Sequence, residues 1–289
     1  MTIRTIDHLV LPVEHLTEAR VKLQRLGFSV APDARHPFGT ENACIFLQDG
    51  SYLEPLGIAD HEAYSSSADA GNVFTARDRQ ARAASPECGL SALVVASDDA
   101  LADEARYRAC GISAGPMLEF SRKLTLPDGG ETTASFRLAF AADEGSESFF
   151  VFSCQRINAL PRDMGDLVKH ANGVTGLREV VLSTDHLERD CHFLETALSA
   201  GSIREAEGIV FTTRTARIRL LARTGSLADG FNDARAAAGV QGRSVVFAVA
   251  DLAVTAATLA ANDVPFLQRE RRLTVAAATG QNVEFAFEE

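Results

Sequence analysis

The sequence predicts an α+β fold assembled from four βαβββ units, and three observations carry that prediction. Short apolar, β-branched runs recur near residues 6–12, 90–96, 177–183 and 245–250. Each is followed by a stretch whose apolar positions fall at helical spacing. Each of those is followed by short strand-like runs set apart by turn residues. At 289 residues the chain exceeds one small core, so two halves of roughly 145 residues are expected.

In the first unit residues 6–12 suit a buried strand. Leu16, Ala19, Leu23 and Leu26 recur at helical spacing, and Gly27 stands where a helix end takes a left-handed backbone, so the helix should stop at Leu26. Residues 28–30, 44–47 and 52–56 are predicted strands, the last two joined by a turn whose Asp49-Gly50 pair favours a hairpin. The second unit has a strand at 90–96, a helix at 99–110 stopped by Gly111, and strands at 133–140 and 149–154. The third has a strand at 177–183, a helix at 187–198 with Gly201 just beyond, and strands at 209–213 and 218–222. The fourth has a strand at 245–250, Asp251 as N-cap of a helix at 252–261, and strands at 273–275 and 283–287. Residues 60–87 are polar and rich in Ser, Ala and Arg, and read as a surface excursion with room for one short helix. Residues 155–175 carry Pro161 and Gly165 but also Leu167, Val168 and His170. They read as a packed connector between domains at 1–157 and 174–289.

Composition excludes several classes. A net charge of −11 argues against a nucleic-acid footprint, and no apolar run approaches the roughly eighteen residues that span a bilayer. Asp7, His8 and Glu14 break the first apolar stretch, so no export signal is expected. The five cysteines are odd in number and nowhere spaced C-x-x-C, which suits a reducing cytoplasm. Cys44, Cys110 and Cys154 sit in apolar surroundings and are expected as buried thiols. Glycine-rich phosphate loops, nucleophile elbows and H-E-x-x-H are missing from the sequence. The partner expected is a small molecule, with neither nucleic acid nor membrane, and a homodimer is left open.

Two polar residues stand out because they interrupt apolar strands, His8 in the first and Glu54 in the last of the opening unit. Buried polar groups require partners. One shared divalent cation would satisfy both, as would a hydrogen-bonded core histidine beside a separately paired glutamate. Imidazole plus carboxylate suits Zn, Ni, Mn or Fe without choosing among them. The run from His36 to Asn42 combines hydrogen-bonding side chains with Gly39, which suits a ligand-facing loop. Its candidates are His36, Thr40 and Asn42, with His170 and Asn172 as a second group against a plain Asn-Gly turn. Phe120, Phe136, Phe140, Phe149, Phe150 and Phe152 are close enough in sequence to line an apolar pocket, or to pack a core.

The segments IDHLVLPV, HPFGTEN and SYLEPLGI, with HANGVTGLREVVLST opening the second half, resemble the vicinal oxygen chelate superfamily and its glyoxalase-like branch. The resemblance covers nearly the whole chain. It implies that units pair into half-barrel cups, two in all, with metal held by residues of first and last strands: His8 and Glu54. In the second unit Ala92 falls opposite His8, and FFVFSC offers no ligand opposite Glu54. A third ligand would have to come from His170, His36 or Gln155, or be absent. In the second half Glu179, Ser244 and Glu284 fall at the corresponding places, which implies a degenerate cup. The implied function is a metal-dependent glyoxalase-type lyase or isomerase acting on a small oxygenated substrate, with Glu54 or His170 moving the proton. The alternatives are a ring-cleaving dioxygenase and a metal-free binding or resistance protein.

Overall fold

A computed structural model describes residues 3–85, 89–125, 130–158, 164–223, 238–278 and 283–289. Expectations that fall on Glu87, Cys88, Pro161 and Gly280 lie outside these residues.

The opening unit runs β1 (Ile6–Pro12), α1 (Leu16–Arg25), β2 (Ala34–Arg35), β3 (Thr40–Asn42), β4 (Ile45–Phe46) and β5 (Tyr52–Ile58). Two helices follow, α2 (His61–Asp69) and α3 (Val73–Ala84). The second unit is β6 (Ala92–Ala96), α4 (Ala100–Ala109), β7 (Leu118–Thr125), β8 (Glu131–Ala141) and β9 (Phe150–Arg156). A 3-10 turn, Gly165–Val168, lies in the connector. The third unit is β10 (Val174–Thr184), α5 (Leu187–Leu198), β11 (Ser202–Glu205), β12 (Gly208–Thr212) and β13 (Arg217–Ala222). The fourth is β14 (Gln241–Val249), α6 (Leu252–Ala261), β15 (Leu267–Arg269), β16 (Arg272–Val275) and β17 (Glu284–Glu288).

Units pair one with two and three with four. The first sheet orders its strands β2-β3-β5-β1-β6-β9-β8-β7, with β4 also on β5, and the second orders them β11-β12-β13-β10-β14-β17-β16-β15. In each, the first strands of two units meet antiparallel at the centre, and each lies parallel to the last strand of its own unit. The architecture is α+β with two paired cups, as expected.

Strand alternation then sorts the side chains. Leu9, Leu11, Leu53, Leu93 and Val151 join a core shared with Leu194, Phe247 and Phe285 of the second half. Val10, Leu56, Val94, Leu138, Phe140 and Phe152 belong to a separate cluster on the other face. Every residue of β1 is consequently buried, because both of its faces are covered. The halves are joined through this core and through Asp49, which accepts from Leu177 N at 2.7 Å.

Four expectations need correction. Residues 28–30 form no strand: Phe28 is buried against Phe247, Phe285 and Phe287, so its apolar character serves the junction between halves. Residues 60–85 are no loose excursion but two capped helices. Asp60 accepts from Ala63 N at 2.9 Å and Asn72 from Phe74 N at 3.0 Å. Arg82 ties the second helix to Val13 O at 2.9 Å and Leu56 O at 2.7 Å. Strand β7 was not anticipated, since its sequence LEFSRKLT is mostly polar. Cys110 is exposed just past α4, whereas Cys44 and Cys154 are buried as expected. Among the described residues no helix is long and apolar enough to cross a membrane.

Candidate functional site

The concave face of the first sheet holds a small cavity of about 40 Å³, bordered by His8, His36, Tyr52, Glu54, Phe120 and Arg122. Phe38, Phe74, Phe136 and Phe152 complete much of the wall. Parallel pairing of β1 with β5 sets Val10 beside Glu54 and His8 beside Tyr52. His8 and Glu54 thus reach one spot from adjacent strands.

A chain of polar contacts crosses the floor. His8 Nε2 lies 3.2 Å from Glu54 Oε2, and His8 Nδ1 lies 2.7 Å from Asp7 Oδ1. Neighbours along a strand ordinarily face opposite sides. Here the register of β1 on β6 shifts between Ile6 and His8, and such a bulge re-aims a side chain. Asp7 in turn receives two contacts from Arg156 of β9, Nη1 at 2.6 Å and Nη2 at 3.0 Å. At the other end Asn42 Nδ2 donates to Glu54 Oε1. His36 Nε2 stands 3.8 Å from that same Oε1, while its Nδ1 meets Thr40 Oγ1 at 2.9 Å.

These contacts decide the charge states. Burial opposes a charge on His8, yet hydrogen bonds to Asp7 and Glu54 raise its pKa above the ordinary value. Burial equally opposes a charge on Glu54, but His8, His36 and Asn42 hold its pKa down to about 2. His36 goes the other way: burial lowers it to about 4 against the pull of Glu54, with Arg122 and His8 assisting. The same carboxylate thus lies between two imidazoles whose surroundings push them apart, His8 toward its charged form and His36 toward its neutral one. Burial pushes the thiols of Cys44 and Cys154 upward, so both stay protonated.

Aromatic rings hold the imidazoles in place. Tyr52 stacks on His8 with centroids 4.4 Å apart. Phe38 stacks on His36 at 5.1 Å, and Phe120 meets it edge-on at 5.7 Å. Phe38 is carried by the loop before β3, where Gly39 takes φ +88°. A Cβ at Gly39 would meet Tyr64 N at 2.5 Å and Asp60 O at 2.6 Å, so the loop fits beneath α2 only as glycine.

Of the sequence candidates, His8, His36, Thr40, Asn42 and Glu54 converge here. His170 and Asn172 do not. Ser29 N donates to His170 Nδ1 at 3.1 Å and His170 Nε2 meets Phe46 O at 3.0 Å, so both ring nitrogens are engaged with backbone. Asn172 is buried, donating to Leu26 O at 2.8 Å and accepting from Val174 N at 3.1 Å. Both bind the connector to the first half. Gln155 likewise serves the turn before α4, accepting from Ala100 N and donating to Asp98 O.

A cation fits this donor set only in part. His8 Nε2 and Glu54 Oε2 are spaced as two ligands would be, and His36 adds a second imidazole by composition. Yet among the described residues no three His, Cys, Asp or Glu side chains are arranged to share one ion. The polar floor is instead closed on itself by hydrogen bonds. We therefore derive no step through a metal.

The second cup holds a cavity of about 560 Å³ lined by charges. Glu179 is held by Arg219 through two contacts of 3.0 Å, and Glu288 by Arg178 and Arg272. Glu179 and Glu288 are thus both engaged by neighbouring arginines.

Sequence reasoning missed Asp7, Phe74, Arg122 and Arg156. Arg122 had a usable signal, because it lies two residues from Phe120 and a strand's period sets both on one face.

A two-half sheet pairing with a site on the first cup defines a protein of vicinal oxygen chelate fold. The model of the glyoxalase-like domain family matches residues 6–198, more than half of the chain, and the chain belongs to that family. Similar solved structures include a hypothetical protein from Staphylococcus aureus, 11% identical, covering 99% of each chain with a TM-score of 0.67. A mutant of 4-hydroxymandelate synthase from Streptomyces coelicolor is 14% identical, covering 100% of this chain and 94% of that one, TM-score 0.63. A xylose isomerase-like TIM barrel/4-hydroxyphenylpyruvate dioxygenase fusion protein is 14% identical, with 100% of this chain on 49% of that one, TM-score 0.57. No curated protein matches.

Proposed function

We propose that the chain is a small-molecule lyase or isomerase of the vicinal oxygen chelate type, moving a proton on a substrate held in the first cup. The observation that carries this reading is the set of two imidazoles on one carboxylate, His8 and His36 about Glu54, shifted in opposite directions by their surroundings. Titratable groups pushed apart by their surroundings are how a site keeps an acid and a base together at one pH. His8, held toward its charged form by Asp7, is the acid. His36 takes the base role when its Nδ1–H donates to Thr40 Oγ1, which leaves the lone pair on Nε2. Glu54 positions both rings, and Asn42 positions Glu54. The free, buried thiols of Cys44, Cys154 and Cys191 support a cytoplasmic setting.

The test is exchange of carbon-bound hydrogen into deuterium oxide, followed by proton NMR over small 2-hydroxy and 2-oxo compounds, with and without chelator. Exchange on at least one compound should survive chelator, and His36→Gln and Glu54→Gln should slow it by about 10²-fold or more. Exchange that vanishes with chelator and returns with one cation would reinstate a metal-dependent lyase. Binding without any exchange would leave a binding protein.

A further inference from the structure

Among the described residues that border the cavity, Arg122 is a charged side chain that the polar floor does not engage. It sits on β7, opposite Ala134 of β8, and borders the cavity together with His8, His36 and Glu54. Its Nε and Nη1 are buried and make no hydrogen bond. A guanidinium always carries its charge, and a buried donor without a partner destabilises the fold, the more so when charged. The neighbouring carboxylates cannot relieve it. Glu54 is engaged by His8 and Asn42, and Asp7 by Arg156 and His8.

The Arg122 guanidinium thus borders the space with two of its nitrogens unpartnered. The surroundings of that charge are apolar: Phe120 stacks on Phe136 at 5.2 Å, and Phe38 meets Phe120 edge-on at 5.2 Å. A pocket with one unpaired cation and rings on the remaining sides complements a molecule with one anionic group and a short apolar body.

We infer that the first cup receives a small organic carboxylate, with Arg122 pairing its charged group and the phenylalanine rings covering its few carbons. The space of about 40 Å³ limits that body to a short one. The inference deepens the reading above by naming a substrate class for the same cup, but it concerns binding alone and stands whether or not a proton moves. It also connects with that reading. Arg122 is among the groups that depress His36, so a bound anion would offset its field and leave His36 a better base.

Propionate and its uncharged counterpart propionamide are the probes, titrated into the full chain by calorimetry at pH 7. Propionate should bind at least tenfold more tightly than propionamide. Arg122→Leu should abolish that preference while raising the Tm of the unliganded protein, because it removes two buried donor nitrogens that nothing in the fold pairs. Arg122→Lys should restore part of the preference. The inference is overturned if the two probes bind equally or neither binds, or if Arg122→Leu keeps the preference. It is equally overturned if Arg122→Leu lowers Tm or fails to fold, since the guanidinium would then be a structural group. A failed proton-exchange experiment with an intact propionate preference would reject the enzymatic reading and leave this one standing.

Discussion

Replacing Asp7 by Asn probes the polar floor of the first cup through a residue that does not line the cavity. Asp7 is buried and links Arg156 of β9 to His8 of β1. Breaking a fully buried ion pair costs about 3–5 kcal/mol. Two features reduce that figure here: the Arg156 side chain is 35% exposed, so solvent recovers part of its charge, and an Asn oxygen still accepts from His8 Nδ1–H. A loss of about 2–3 kcal/mol is expected on those grounds, read from urea unfolding with an unchanged slope. The loss should depend on pH. Folding raises the pKa of His8, so the stability this lends is complete below its ordinary value of 6.5 and disappears as pH climbs through the folded value. Without the Asp7 charge that contribution shrinks. The gap between wild type and Asp7→Asn should therefore be widest just below pH 6.5 and narrow toward alkaline pH. A loss under about 0.5 kcal/mol, which is the scale of an ordinary surface change, or a gap that widens with pH, would refute the reasoning.

Three further outcomes are expected. His36 is lowered from 6.5 to about 4 in the fold, so stability should fall as pH drops through that window, by roughly 3 kcal/mol for ~2.5 units at 1.36 kcal/mol each; His36→Gln should flatten this limb in urea titrations. Phe74→Ala empties a buried position of α3 beside the cup and should cost about 3 kcal/mol in the same assay, whereas a loss near zero would mean that α3 packs weakly. Trypsin should spare residues 60–85, because Arg77 donates to Ser146 O at 2.9 Å and Arg82 to Val13 O and Leu56 O; early cleavage at either arginine, seen by mass spectrometry, would contradict the packed helices.

Much of the fold was legible because its signals are local. Helical spacing, Asp251 as an N-cap and Gly27 as a stop each act within one turn, and α5 and α6 begin and end at the expected residues. His8 and Glu54 were legible for the same reason: a polar residue inside an apolar strand is visible without knowing the strand's partner. Helices α2 and α3 were not. Their buried residues, such as Tyr64, Phe74 and Asp78, are few among polar ones, and what they cover is set by strands far away in sequence.

What the sequence determined by itself is thus the order of elements, the four-unit repeat and the pair of residues at the centre of the first cup. Only the tertiary structure decided their company. The bulge that turns Asp7 toward His8 arises from pairing β1 with β6, some ninety residues apart. The side of the sheet on which Arg122 lies follows from pairing β7 with β8. The removal of His170 from the site follows from two backbone groups of the first unit that bind its ring. Charge and period are written residue by residue, but whether a charged group finds a partner depends on which distant strands the fold places beside it.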